Sequence, residues 1–205
     1  MKIERRGPGK GATNVKMTYY CTTYSSPLGP VTLASDGEAL VGLWLQGQKS
    51  VSDAASTELE QRDGLPVFQE GKDWLEAYFA GERPDASQLA LAPAGSPFRQ
   101  AVWRMLREIP YGATTTYGEI ARKMAALTGK PGMAAQAVGG AVARNPISVL
   151  VPCHRVVGTS GSLTGYAGGI DLKIQLLKHE GVPMSHLFVP QKGTALTGGI
   201  YGMGR

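Results

Sequence analysis

The stretch Ile147-Ser148-Val149-Leu150-Val151-Pro152-Cys153-His154-Arg155-Val156-Val157 decides how the rest of the chain is read. Its apolar, β-branched opening predicts a short buried strand. Pro152 has no N–H to give to a sheet ladder, so the strand is expected to end there. Cys153 and His154 then follow a strand end, with Arg155 beside them. An imidazole and a guanidinium next to a thiol favour the thiolate, the nucleophilic form of cysteine. The competing reading makes Cys153 a small buried hydrophobe and His154 a satisfied core histidine.

Outward from this stretch, charge is distributed unevenly. Residues 97–205 carry 12 Lys+Arg against 4 Asp+Glu, whereas residues 17–96 carry 4 against 11. A basic half joined to an acidic half points to a polyanionic partner for the basic one. No apolar run approaches the length of a membrane span, and the N-terminus lacks the apolar core of a secretory signal. Cys21 and Cys153 are the only cysteines, so a disulfide framework is not expected and a reducing, cytoplasmic setting is.

Residues 1–16, rich in Gly, Lys and Arg, predict a disordered basic arm. Tyr19–Tyr24, Val31–Ala34 and Leu40–Leu45 read as strands of a small antiparallel sheet, with Asp36-Gly37 as a hairpin signal. Residues 46–66 read as loop. Phe68, Leu75, Tyr78 and Phe79 recur at helical spacing over residues 67–80, and Gly81 is the stop. A Pro/Ala-rich segment over 83–96 separates an N-terminal domain, 17–92, from a C-terminal one, 97–187. Residues 188–205 read as a loose tail.

In the C-terminal part an amphipathic helix is predicted over residues 97–109. Thr116 and Glu119 have capping-box spacing ahead of a helix over 117–126. A Gly-bearing turn leads to a second helix over 133–143, and the pair has the outline of a helix-turn-helix. That second helix contains Ala134, Ala135, Ala137, Gly139, Gly140, Ala141 and Ala143. Such small residues fit either close packing against a neighbouring element or close approach to a nucleic-acid backbone. Residues 158–169 form a glycine-dense loop, a candidate pocket wall, and residues 171–180 a helix with Leu172, Leu176 and Leu177 inward.

The string Pro152-Cys153-His154-Arg155-Val156-Val157, together with Asn145-Pro146, Thr164-Gly165-Tyr166-Ala167-Gly168-Gly169 and Leu177-Lys178-His179-Glu180-Gly181, resembles the O6-alkylguanine-DNA alkyltransferases, also called methylated-DNA–protein-cysteine methyltransferases. The likeness runs from about Met17 to Pro183. It implies an α/β fold: a small N-terminal ribonuclease-H-like α/β domain with an antiparallel sheet, then a mainly helical C-terminal domain carrying the helix-turn-helix.

The implied function is direct-reversal repair by a monomer that binds double-stranded DNA from the minor groove. It turns out the lesion base and moves the alkyl group of O6-alkylguanine, and of O4-alkylthymine, irreversibly to Cys153. His154 resembles the water-linked base for the thiol, Glu180 the carboxylate that orients it, and Asn145 the tie between helix-turn-helix and active-site turn. Tyr117 resembles the tyrosine that crowds the phosphate and donates a proton to the base. Tyr166, Ala167 and Gly168 resemble the pocket wall. Arg155, Ala135 and Gly139 are expected at the substrate and DNA surface.

Gln136 stands where many members carry an arginine finger, and Ala167 where some carry a serine. Zinc ligands found in some relatives have no counterpart, so neither metal nor cofactor is expected. Two other readings compete: a cysteine hydrolase using Cys153 and His154, and a non-catalytic DNA-binding module.

Overall fold

The computed structural model describes residues 18–48, 59–129 and 132–190. The arm expected over 1–16 lies outside these residues, as does the tail from 191 onward. Three strands, β1 (Tyr19–Ser26), β2 (Gly29–Ser35) and β3 (Leu40–Leu45), form an antiparallel meander. A short strand absent from the sequence-based expectation, β4 (Leu59–Gln61), pairs in parallel with β1, giving the order β3-β2-β1-β4. Three residues of mixed polarity are too few to show a period of two, so this strand has no signature in the sequence.

Helix α1 (Pro66–Phe79) covers one sheet face with Phe68, Leu75 and Tyr78, all fully or almost fully buried. Against that layer pack α2 (Pro97–Arg107), α3 (Tyr117–Thr128) and α4 (Ala135–Ala143), and one core runs through from Leu33 and Leu43 to Val102, Met124 and Val142. The expected capping box closes α3: Glu119 N donates to Thr116 Oγ1 at 3.1 Å, and Thr116 N to Glu119 Oε2 at 2.8 Å. Trp103 of α2 donates its indole N–H to Ala141 O at 2.9 Å, which fixes α4 on α2. Strands β5 (Thr115–Thr116) and β6 (Val156–Val157) form a parallel pair, and α5 (Ile170–His179) ends the helical half. Among the described residues no helix is long and apolar enough to cross a membrane.

The apolar opening of the decisive stretch, residues 147–151, is not a strand. Only Ile147 pairs with the sheet, through a bridge to Leu43 in which Leu43 N donates to Pro146 O and Ser148 N to Leu43 O, at 2.9 and 2.8 Å. The chain then coils: Val149 takes φ 67°, Val151 N returns to Ile147 O at 3.0 Å, and Cys153–Arg155 form a 3-10 turn. A left-handed β-branched residue is strained. The turn is held by burial, since Ile147, Val149, Leu150 and Val151 are all at most 3% exposed. A coil buried on every side shows the same unbroken apolar run as a buried strand, which is why periodicity misread it. The tail differs too at its start: Phe188 pairs with Ser162, and Leu163 N donates to Phe188 O at 2.9 Å.

Candidate active site

Asn145 ties the end of α4 to this coil. Its Oδ1 accepts from Ile147 N at 3.1 Å, and its Nδ2 donates to Val151 O at 2.7 Å and lies 3.2 Å from Cys153 Sγ. The side chain is buried, so each of these backbone partners would otherwise be left unpaired at a cost of about 1–3 kcal/mol. In a 3-10 turn successive side chains leave the axis about 120° apart. Cys153 therefore faces Asn145 while His154 turns toward α5.

There Glu180, the residue that caps α5, collects donors. Its Oε1 takes the Tyr78 hydroxyl at 2.7 Å, His154 Nε2 at 2.7 Å and Arg155 Nη2 at 2.9 Å; its Oε2 takes Arg155 Nε at 2.8 Å and Gly112 N at 3.3 Å. Burial alone would raise the Glu180 carboxyl, but the hydrogen bond from His154 and the hydrogen bonds and charge of the Arg155 guanidinium outweigh it and hold it well below the usual carboxylate range. Gly112 has φ 74°, and a Cβ there would sit 2.9 Å from Glu180 O, so this approach requires glycine.

His154 is fully buried, and burial depresses its pKa against the opposing pull of Glu180, so the ring is neutral at rest. A carboxylate only accepts, so the proton sits on Nε2 and Nδ1 carries the lone pair. Nδ1 has no hydrogen-bond partner on the protein. The ring is thus oriented as a base with its free nitrogen unengaged.

The expectation of a thiolate-favouring setting needs correction. Burial pushes the Cys153 thiol up, and the Asn145 amide and the Lys173 ammonium pull it back only in part. Arg155 does not face the sulfur. It is 8% exposed and spends its donors on Glu180 and on Ile109 O at 2.6 Å, so it is not at a DNA surface as expected. Cys153 therefore rests as a thiol, and forming the thiolate requires removal of its proton.

Three residues at this site went unmentioned as functional in the sequence reading. Lys173 is fully buried and donates to Val156 O and Thr164 O at 2.6 and 2.7 Å; burial pushes it down to about 8, while proximity to Cys153 acts the other way. Its signal was present: 173, 176, 177 and 180 share one helix face, so a lysine and a glutamate stand in the apolar stripe of α5. Tyr78, on the buried face of α1, is also a Glu180 donor. Ser148 had been read as a strand residue and lies fully buried beside Cys153.

Tyr117, first residue of α3, donates its hydroxyl to Thr164 O and Gly165 O at 3.2 and 3.3 Å, and burial pushes its pKa up. Gly165 has φ 77°, and a Cβ there would collide with that hydroxyl. Tyr166 is buried, its ring edge-on to His154 with centroids 6.5 Å apart, and its hydroxyl has no well-aligned partner. Ala167 and Gly168 follow, partly exposed.

On α4, Ala135, Gln136 and Ala137 are exposed and Gly139 is half-buried. A Cβ on Gly139 would lie 4.0 Å from the Tyr117 ring, and one on Gly140 3.6 Å from Arg144, both ordinary contacts. Close packing does not demand these two glycines. They leave a bare face beside Tyr117. A cavity of about 520 Å³ opens behind the coil, lined by Arg83, Arg104, Tyr111 and Arg155 among others, but Cys153 does not line it.

Residues 97–182 match the DNA-binding domain of 6-O-methylguanine DNA methyltransferase, and residues 19–93 match its ribonuclease-like domain. The chain is 46% identical over 163 residues to the methylated-DNA–protein-cysteine methyltransferase of Methanosarcina acetivorans, covering 79% of this chain and 98% of that protein. The protein of the same name from Haemophilus influenzae is 42% identical over 164 residues, covering 80% and 87%. Mycobacterium tuberculosis OGT, solved in complex with DNA, superposes with a TM-score of 0.66 at 45% identity, covering 80% of this chain and 92% of that one.

Proposed function

Since the chain belongs to the 6-O-methylguanine DNA methyltransferase family, we propose that it repairs O6-alkylguanine, and O4-alkylthymine, in double-stranded DNA by a single irreversible transfer to Cys153. The observation that carries this reading is the buried Cys153–His154–Glu180 arrangement, in which His154 Nε2 is tied to the Glu180 carboxylate at 2.7 Å and Nδ1 is left without a partner.

His154 Nδ1 takes the thiol proton through a bridging water, and Glu180 stabilises the imidazolium that results. The sulfur attacks the alkyl carbon in line. A C–S bond forms, the C–O6 bond breaks, and its electron pair returns to the base, which takes a proton from the Tyr117 hydroxyl. The product is a thioether with no route back to the thiol, so each molecule acts once.

A buried sulfur cannot reach a stacked base, so the nucleotide has to leave the helix, here through the minor groove. The bare face of α4, with Ala135 and Gly139, allows the helix to approach the backbone, and exposed Gln136 reaches the vacated space. Tyr166, Ala167 and Gly168 wall the pocket, and the protein works as a monomer. A cysteine hydrolase is disfavoured because His154 and Cys153 diverge on their turn.

Cys153→Ser tests the reading. Transfer is expected to vanish while duplex affinity, assigned to α3 and α4, stays nearly unchanged, because buried Cys153 offers almost no surface to the duplex. Transfer by the serine protein would overturn it.

A further inference from the structure

Tyr78 sits near the end of α1, 102 positions before Glu180 in sequence, and is 1% exposed. Its ring stacks on Trp74 with centroids 5.2 Å apart and meets the Tyr111 ring edge-on at 5.9 Å, so packing fixes where the hydroxyl points. It grips the end of α5 at two points. The backbone O accepts from His179 Nε2 at 2.8 Å, and the hydroxyl donates to Glu180 Oε1 at 2.7 Å. Burial and the neighbouring carboxylate push this hydroxyl far above the usual phenol range, so it keeps its proton and stays a donor.

Glu180 Oε1 is crowded with donors. It takes the Tyr78 hydroxyl and His154 Nε2, both at 2.7 Å, and Arg155 Nη2 at 2.9 Å, while Oε2 takes Arg155 Nε and Gly112 N. A carboxylate offers about four lone-pair sites, about two on each oxygen. Tyr78 and Arg155 thus compete with His154 for the charge on one atom. A donor that draws charge from that oxygen weakens its support for a second proton on the imidazole.

We propose that Tyr78 is a positioning residue of the proton relay: its hydroxyl occupies Glu180 Oε1 beside His154 Nε2, tempers the pull of the carboxylate on the imidazole, and so leaves His154 a neutral ring ready to take the thiol proton. The proposal rests on reading His154 as the base for Cys153. It gives α1, which packs on the sheet, a direct part in the chemistry. The charged and titratable groups around His154 are Glu180 and Lys173 from α5, Arg155 from its own turn and the edge of Tyr166; around the Tyr78 ring and hydroxyl they are Glu180, Arg155, Tyr111 and His179.

The test reads the imidazole itself, without DNA, so its outcome does not depend on whether Cys153 accepts an alkyl group. The full chain is labelled with 15N-histidine and titrated by NMR, with the His154 signal identified by its loss in His154→Gln. Tyr78→Phe keeps the ring and its stack, and it leaves Oε1 two donors for about two lone-pair sites, so no buried polar group is orphaned and the protein folds. Its His154 midpoint is expected about one pH unit higher, a tenfold change in proton affinity. Tyr111→Phe removes a hydroxyl of the same aromatic cluster that donates to His179 O instead of the carboxylate, and should leave the midpoint in place.

Single-turnover transfer by Tyr78→Phe should then fall about tenfold on the acidic limb of its pH profile and recover to the unaltered rate on the alkaline side. A His154 midpoint unmoved in Tyr78→Phe, or moved equally in Tyr111→Phe, would overturn the proposal. So would a transfer rate lowered by the same factor at every pH, which would limit Tyr78 to bracing α5.

Discussion

Glu180→Gln perturbs the site at its most connected atom pair. Glu180 accepts from the Tyr78 hydroxyl, His154 Nε2, two nitrogens of Arg155 and Gly112 N, all within 3.3 Å. Glutamine keeps one oxygen, but its NH2 must face donors, and Arg155 loses its counter-charge in the interior. Breaking a buried pair in this way costs about 3–5 kcal/mol. For a chain of this length each kcal/mol moves Tm by roughly 2–4 °C, so a fall of roughly 6–20 °C is expected in a melting experiment.

The sign of the pH dependence follows from the same carboxylate. Its folded pKa lies below the ordinary value, so its stabilisation is present above about pH 4.5 and is lost as pH falls further. The Tm of the unaltered protein should therefore drop on acidification below that value, and the variant should respond less. His154 remains but is a weaker base without the carboxylate. Single-turnover transfer, measured below both melting temperatures, should slow about tenfold to hundredfold, short of the roughly 10²–10⁴ that a whole general base supplies. A lowered Tm with an unchanged rate would make Glu180 purely structural, and the proposed proton path would be refuted.

Gln136 is exposed on α4, so Gln136→Arg should leave Tm unchanged, yet speed repair of duplex DNA by offering a broad cationic plane to the vacated stack; equal single-turnover rates on duplex for both proteins would place the inserting residue elsewhere. Lys173→Met keeps the apolar stem of the side chain but removes the one ammonium that bears on Cys153 from α5. Transfer near neutral pH should fall about tenfold, with the pH–rate profile moved upward by about one unit. A lower rate without that movement would limit Lys173 to bracing Val156 O and Thr164 O.

Much of this architecture is legible in the sequence wherever local chemistry and packing agree. The α3 capping box, the apolar stripe of α2 and the three strands of the meander each bury what their periodicity says they should. The coil at 147–155 was misread because burial on all sides erases the period that separates strand from turn, and nothing local announces φ 67° at Val149. Arg155 is misplaced for a related reason: a guanidinium next to a thiol in sequence suggests a partner in that thiol or in DNA, whereas its real partner, Glu180, lies 25 residues away. Lys173 could have been found from its place in the α5 stripe. The Tyr78–Glu180 bond could not, since it joins α1 to the end of α5 across 102 positions.

The most direct test of the central claim is the intact mass of the protein after incubation with duplex DNA containing O6-methylguanine, followed by peptide mapping. A gain of one methyl group, located on the Cys153 peptide and never exceeding one per molecule however long the incubation, is the expected result. An unchanged protein mass alongside demethylated DNA, or a methyl group on any other residue, would contradict it.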